Sequence, residues 1–309
     1  MCRLFAFVLL TWIGLPDATY AWGCSGHHIV ALIALHHLNP RARAGVEELL
    51  TAQAIDPSLA RYCKDETADP FIGAATWADD VKRAEGTGSW HYMDIPRGIA
   101  QRDPNQYCEP VGPLRNGNRP GCLLSALHDQ LSILDHGNQA DRARALRYVI
   151  HLVGDLHQPL HVNDNADRGG NCVLVQFRAK STNLHSLWDS GILDGVLSER
   201  HLTEPNFAGE LDSRFQRHFE DWASGKQTLE QWVWAVHKIG VRLTYGKLRP
   251  PVPVEASNPV DDCAAESTKT RALNIVIGPD YQRSAMEAIE PLLTMAGYRL
   301  AGLLNRVWP

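Results

Sequence analysis

Beyond its first two dozen residues the chain holds no apolar run approaching the roughly 20 residues that cross a bilayer, so no membrane span is expected. It has no surplus of positive charge either: 30 Lys and Arg stand against 35 Asp and Glu, a formal net charge of −5. That balance leaves no basic stripe for gripping a duplex, and whatever draws phosphate to the protein must be something other than lysine. None of its cysteines stands in a Cys-x-x-Cys pair, which argues against a thiolate zinc site. Strand signal is scarce, with "CVLVQF" (172–177) after "DRGGN" the one convincing arm of a hairpin. There is no internal repeat and no low-complexity tract.

What is present is a helical pattern behind an export leader. Residues 1–21 place Arg3 ahead of "LFAFVLLTWIGL", a breaker at Pro16 and small residues at "ATYA", the layout of a secretory signal peptide. Cleavage after Ala21 would make Trp22 the first mature residue and leave the net charge at −5, because Arg3 and Asp17 depart together. Loss of Cys2 leaves Cys24, Cys63, Cys108, Cys122, Cys172 and Cys263, an even set suited to disulfides in an oxidising compartment, periplasmic or extracellular. Of these, Cys108 and Cys122 close a local Pro/Gly-rich loop. Apolar residues recur at intervals of three and four in 28–38, 44–50, 72–82, 122–135, 142–157, 184–197, 229–244 and 284–307. Pro40, Pro159 and "LRPPVPVEASNPV" interrupt the pattern, and Asn183 and Asp280 are helix-start signals. The stretches 98–121 and 248–280 read as long loops. The expected fold is mainly α, one domain over 22–309 with a short β-hairpin.

Within this pattern "HLVGDLHQPLHV" (151–162) is anomalous, since buried imidazoles and carboxylates cost several kcal/mol unless paired or bound to a metal, about 2–7 for a neutral polar group. A helix turns about 100° per residue, so His151 and Asp155 lie about 40° apart on one face and can share a metal. His161 follows Pro159, where the helix must end or bend, and its ring can return from another direction. His157 lies off the shared face and reads as structural. "NLHSLWDSG" repeats the spacing with His185 and Asp189. "TWADD" places Asp79 near the end of an apolar helix, "WHYMD" sets His91 among aromatic residues, and "WGCSGHH" puts His27 at a helix start behind Trp22. Along that helix His28, His36 and His37 read as packing or solvated positions.

Taken in order from Trp22 to Asp189, Trp-Gly-x-x-Gly-His, Trp-Ala-Asp, His-Tyr-x-Asp, His-x-x-Gly-Asp-x-His-Gln-Pro-Leu-His, Gly-Gly-Asn and Asn-Leu-His-Ser-x-Trp-Asp resemble the zinc-dependent single-strand-specific nucleases of fungi, plants and bacteria. The motifs span about half the mature chain, and the remainder matches in helical character alone. The resemblance implies the helical fold shared by zinc phospholipases C and these nucleases, and three zinc ions. Asp79, His91, His151 and Asp155 would hold one, and His161, His185 and Asp189 a second. The Trp22 amine and carbonyl, His27 and a bridging Asp155 would hold the third. Neutral imidazoles and carboxylates suit zinc, and three zincs bring about +6 of formal charge, the phosphate attraction that lysine does not provide.

The implied chemistry is zinc-assisted hydrolysis of a phosphodiester in single-stranded DNA or RNA, releasing 5′-phosphates, with 3′-nucleotides as further substrates. Asp79 would also orient water, and Lys82 or Arg83, a turn later, would hold the phosphate or that aspartate. Tyr92 corresponds to a base-stacking aromatic, Asp94 to a residue accepting from a base edge, and Asn171 to one lining the pocket. A zinc phospholipase C shares the fold and the N-terminal Trp ligand, but its last motif resembles His-x3-Glu where this chain has Asp189. A non-catalytic exported zinc-binding module is the reading from another class, and it would be expected to fill every coordination position. A monomer is expected, with base preference not encoded in these motifs.

Overall fold

The computed structural model describes residues 22–64, 69–255 and 262–309, so the leader expected at 1–21 lies outside the described residues. Among the described residues thirteen helices, numbered in chain order, carry nearly all of the structure. The first four are α1 (Cys24–His36), α2 (Pro40–Ala52), α3 (Pro70–Ala74) and α4 (Trp77–Glu85). Next come α5 (Leu123–His136), α6 (Gln139–Leu156), α7 (Leu184–Ser186), α8 (Ile192–Arg200), α9 (Glu204–Phe215) and α10 (Phe219–Ala223). The last are α11 (Leu229–Ile239), α12 (Ala264–Leu273) and α13 (Pro279–Val307). Strands β1 (Leu174–Phe177) and β2 (Lys180–Asn183) form the expected hairpin, pairing Val175 with Thr182, and β3 (Ile275–Val276) adds in parallel to β1.

The central element is α6. Asn138 caps it by accepting from the Asp141 amide, and from Ala145 to Leu156 every residue is buried. It packs on α5, α1, α2 and α13, so its polar residues His151 and Asp155 sit inside the molecule rather than on a solvated stripe. Burying an aliphatic side chain is worth about 1.5–3 kcal/mol, and this helix commits Leu146, Val149, Ile150, Leu152, Val153 and Leu156 to the core around its two polar groups. The helix stops before Pro159, which begins the 3₁₀ turn Pro159–Val162 carrying His161.

Two expectations are corrected. The periodic stretch 72–82 is not one helix: the chain breaks at Ala75–Thr76, and Asp79 lies in the first turn of α4 rather than near the close of a longer helix. The break frees the Ala75 carbonyl from the helical ladder, and that oxygen accepts from His151 Nδ1 at 2.7 Å. The stretch 248–280 is not one loop either, since it contains α12 and β3. Helix α12 is largely solvated and has no long apolar stripe, and it is tied down by the Cys172–Cys263 disulfide and by Thr270 Oγ1 donating to the Cys172 carbonyl. The Cys108–Cys122 disulfide forms as expected, and Cys24–Cys63 completes the set. Among the described residues no helix is long and apolar enough to cross a membrane.

Candidate metal centre

Three groups of buried donors converge at the meeting of α1, α4, α6 and the segment that joins α7 to α8. They are His27, His151 and Asp155; Asp79, His91 and His151; and His161, His185 and Asp189. Within each group one ligand atom per residue lies within 4.8 Å of the others. Asp155, fully buried, joins the first two: Oδ1 is 3.3 Å from His27 Nε2, while Oδ2 is 3.0 Å from His91 Nδ1 and 3.2 Å from His151 Nε2. Asp79 Oδ1 is 3.6 Å from His91 Nδ1. Asp189 Oδ2 is 3.4 Å from His185 Nε2, and its Oδ1 is 3.8 Å from His161 Nε2.

The rings are aimed by their far sides. His151, His161 and His185 each use Nδ1 on a backbone carbonyl, of Ala75, His91 and Gly169 respectively, at 2.6–2.7 Å. With Nδ1 engaged by the carbonyl, Nε2 is the ring nitrogen turned to the centre, the orientation that supports metal-bound imidazoles. Gln158 donates to Asp189 Oδ1 and accepts from the Leu160 amide, so it fixes both the carboxylate and the turn bearing His161. The N-terminal motif has a steric cause. A Cβ on Gly26 would meet the buried Trp22 at 2.7 Å, one on Gly23 would meet Ser190 Oγ at 2.0 Å, and one on Gly154 would meet His27 Nδ1 at 2.8 Å. Only glycine lets α1 approach α6 and the Asp189 segment this closely. The Gly23 amide also donates to the Asp189 carbonyl at 2.8 Å. Asp189 itself stands in a widened π turn, Leu187–Gly191, a departure from α geometry common at functional sites.

Burial and mutual coupling move the titration of nearly every group in the centre. Burial pushes the Asp189 carboxyl well above the usual carboxylate range, with Asp155 and Asp79 adding repulsion. Burial also opposes ionisation of Asp155, but His151 outweighs it and holds Asp155 well below that range. The same pairing raises His151 to about 9 against the effect of burial, whereas His27 falls to about 4 through burial and the repulsion of His151. Several donor atoms are buried without any hydrogen-bond partner: both ring nitrogens of His27, Nε2 of His91 and His161, and Oδ1 of Asp155. Orphaned buried donors and acceptors cost about 1–3 kcal/mol each, and an N/O donor set of this kind fits zinc.

The remaining sequence-predicted residues divide. Lys82 Nζ is 2.9 Å from Asp79 Oδ1, while Arg83 is exposed at the helix surface, so the basic partner of the aspartate is Lys82. Burial raises the Asp79 carboxyl, and His151, Lys82 and His91 overcome it, so the group is kept ionised. Tyr92 is 43% exposed, which removes it from the core, and it lines a cavity together with Asp94. Asn171 is held in the turn before β1 by donating to the Arg168 carbonyl at 2.7 Å. His157 is engaged away from the centre, with the Val153 carbonyl and Arg299, as the sequence suggested. His28 pairs with Glu204, and His36 and His37 with Asp212. Sequence reasoning missed Gln158 and Gly154. Both stand inside the quoted 151–162 motif, and a buried glutamine before a helix-ending proline was the available signal.

The whole span 22–309 matches the family described as S1/P1 Nuclease. Nuclease S1 of Aspergillus oryzae is 27% identical over 309 residues, covering 96% of this chain and 94% of that protein. Endonuclease 2 of Arabidopsis thaliana is 26% identical, covering 94% and 91%. Nuclease P1 of Penicillium citrinum is likewise 26% identical, covering 93% and 97%.

Proposed function

Because the chain belongs to the S1/P1 nuclease family, we propose that it is an exported three-zinc phosphodiesterase that cuts single-stranded DNA and RNA to 5′-phosphate products and also dephosphorylates 3′-nucleotides. The observation that carries the reading is the linkage of two donor groups through the single carboxylate of Asp155, with the third group alongside and the exposed ring of Tyr92 next to His91. Asp79, His91, His151 and Asp155 would hold one zinc, His27, Asp155 and the mature Trp22 terminus a second, and His161, His185 and Asp189 a third. When bound, zinc supplies Lewis-acid polarisation of the phosphate and water of lowered pKa.

The protein's own groups do the rest. Asp79, ionised and braced by Lys82, offers a carboxylate oxygen that can accept a hydrogen bond from the attacking water. Tyr92 offers an exposed ring face to a base, which a nucleotide stacked within a duplex cannot use. Tyr92→Ala is expected to weaken nucleotide binding by about 1–3 kcal/mol, read as a raised Michaelis constant. Unchanged KM and unchanged strand preference would reduce Tyr92 to packing.

Asp94 lines the same cavity, and burial, then Asp164 and Asp167, push its carboxyl up to about 7, with Arg168 opposing. Below that pH the group is protonated and can donate to a base acceptor, and above it the ionised group only accepts. An unfolded aspartate titrates near about 3.9, so the folded state holds the extra proton between about pH 4 and 7. The stability from this group is fully present below the unfolded value and is lost as pH rises through the folded one. Asp94→Asn, which stays neutral, is therefore expected to flatten the KM profile around neutrality and to gain melting temperature over the parent at alkaline pH. A profile identical to the parent's would take Asp94 out of base recognition.

The test of the function is hydrolysis by the zinc-loaded mature protein of a single-stranded oligonucleotide, the same sequence as a duplex, and phosphatidylcholine. Rapid cleavage of the single strand to 5′-phosphate ends is expected. Preferential cleavage of phosphatidylcholine, or 3′-phosphate products, would contradict it.

A further inference from the structure

The segment that follows α2 has little packing of its own. Residues 53–62 form no helix or strand and are all exposed or half-buried, yet Arg61, Tyr62 and Cys63 make contacts that fasten both α4 and α1.

Arg61 reaches the break between α3 and α4 from outside. Its Nη2 donates to the Gly73 carbonyl at 2.7 Å and to Thr76 Oγ1 at 2.9 Å, one on each side of the break. Its Nε lies 2.5 Å from Asp80 Oδ2, and the Tyr62 amide donates to Asp80 Oδ1 at 2.7 Å, so consecutive residues of one segment hold both oxygens of a side chain with no solvent exposure. Asp80 follows Asp79 in the first turn of α4, and the break is what frees the Ala75 carbonyl for His151 Nδ1. The far end of α4 is fixed separately, by Glu85 against Arg144 and the Tyr148 hydroxyl of α6. At the near end, which carries Asp79, Arg61 has that task. Without it the Asp80 carboxylate would be buried with no countercharge, which is strongly unfavourable. Relief by turning the carboxylate to water would swing the first turn of α4, and Asp79 with it.

Cys63 carries the same segment to the other side of the centre. It is bonded to Cys24, the first residue of α1, which lies between Trp22 and His27. One end of the segment thus holds the turn that bears Asp79, and the other holds the start of the helix that bears His27. These belong to the two donor groups that meet at Asp155. The group of His161, His185 and Asp189 is braced by other contacts, from Gln158 and from the His91 and Gly169 carbonyls. A guanidinium suits the task because its donors form a rigid planar fork that serves several acceptors at once, whereas a lysine ammonium is a point charge on a flexible stem.

We propose that Arg61–Cys63 is a clasp that positions the linked pair of zinc sites, Arg61 acting on the Asp79 side and the Cys24–Cys63 disulfide on the His27 side, and that it sets the zinc affinity of those two sites and not of the third. The inference rests on the three-zinc reading and makes Arg61 a positioning residue of the centre.

The test is zinc bound per chain, by equilibrium dialysis against buffers of set free zinc, for the mature disulfide-bonded parent, Arg61→Ala, Cys24→Ser/Cys63→Ser and the triple variant that combines them. Cys172→Ser/Cys263→Ser is the control for losing a crosslink elsewhere. In Arg61→Ala and in Cys24→Ser/Cys63→Ser two zincs should need about 10–100-fold more free zinc to bind, the range for loss of a group supporting a metal site, while the remaining one binds as in the parent. The control should bind all three as the parent does. The triple variant should lose less than the sum of the two losses, because each end of the segment holds the other in place. Arg61→Lys, with a charge beside Asp80 but fewer directed donors, should fall between parent and Arg61→Ala, and it replaces the alanine variant if that chain does not fold. Parent affinity for all three zincs in the arginine or the Cys24→Ser/Cys63→Ser variants would overturn the proposal. Equal weakening in the control, or of the third zinc, would assign the effect to overall stability and overturn it too, and additive losses would separate the arginine from the disulfide. A parent that binds fewer than three zincs would instead remove the three-zinc reading beneath it.

Discussion

Replacing Asp155 with asparagine is expected to lower zinc content by about two equivalents per chain and to cut single-strand cleavage by more than about 100-fold, beyond the range typical of losing a supporting group around a metal. Asp155 turns Oδ1 to His27 and Oδ2 to His91 and His151, so one substitution reaches two donor groups. The amide keeps an oxygen but loses the charge, and its NH₂ would point a donor at ring nitrogens that already face inward. The group of His161, His185 and Asp189 should keep its metal, because Asp155 is its neighbour at 4.0 Å from His161 Nδ1, a nitrogen engaged with the His91 carbonyl. Elemental analysis of the purified variant reads the result directly. Loss of one zinc or none, with activity retained, would show that the carboxylate does not bridge.

The second large effect concerns maturation. Trp22 is fully buried against Gly26, and the next amide, of Gly23, is fixed on the Asp189 carbonyl. The chain here therefore runs beside the Asp189 segment, just ahead of the first turn that carries His27. Cleavage after Ala21 would convert the Trp22 nitrogen from a peptide amide into an amine with a reference pKa near about 7.7–8.0, which gives up a proton to zinc at neutral pH. A protein beginning at Trp22 and one with a methionine ahead of it, both refolded under oxidising conditions, are expected to differ by about one zinc and at least about tenfold in turnover. Equal zinc and equal turnover would remove the Trp22 terminus from the ligand set.

The sequence exposed the candidate ligands better than it exposed their setting. His151 with Asp155 and His185 with Asp189 were legible because i, i+4 spacing is a local property of a helix, and ligand chemistry on an apolar face is costly without a partner. The break at Ala75–Thr76 was not legible, because "FIGAATWADDV" contains neither proline nor glycine where the helix parts. Its cause is tertiary, a carbonyl turned toward His151. Helix α12 escaped notice for a related reason: it is held by a disulfide and hydroxyl contacts to the segment entering β1, and it needs little apolar periodicity of its own. The choice between Lys82 and Arg83 likewise required the direction of α4, since both lie within about a turn of Asp79.

The most direct test of the account is single-strand cleavage measured against zinc bound per chain, starting from chelated mature protein and adding zinc in steps. The account predicts no cleavage without metal and a rise in activity that reaches its plateau at about three zincs. Full cleavage by the chelated protein, or a plateau at a single zinc, would contradict it.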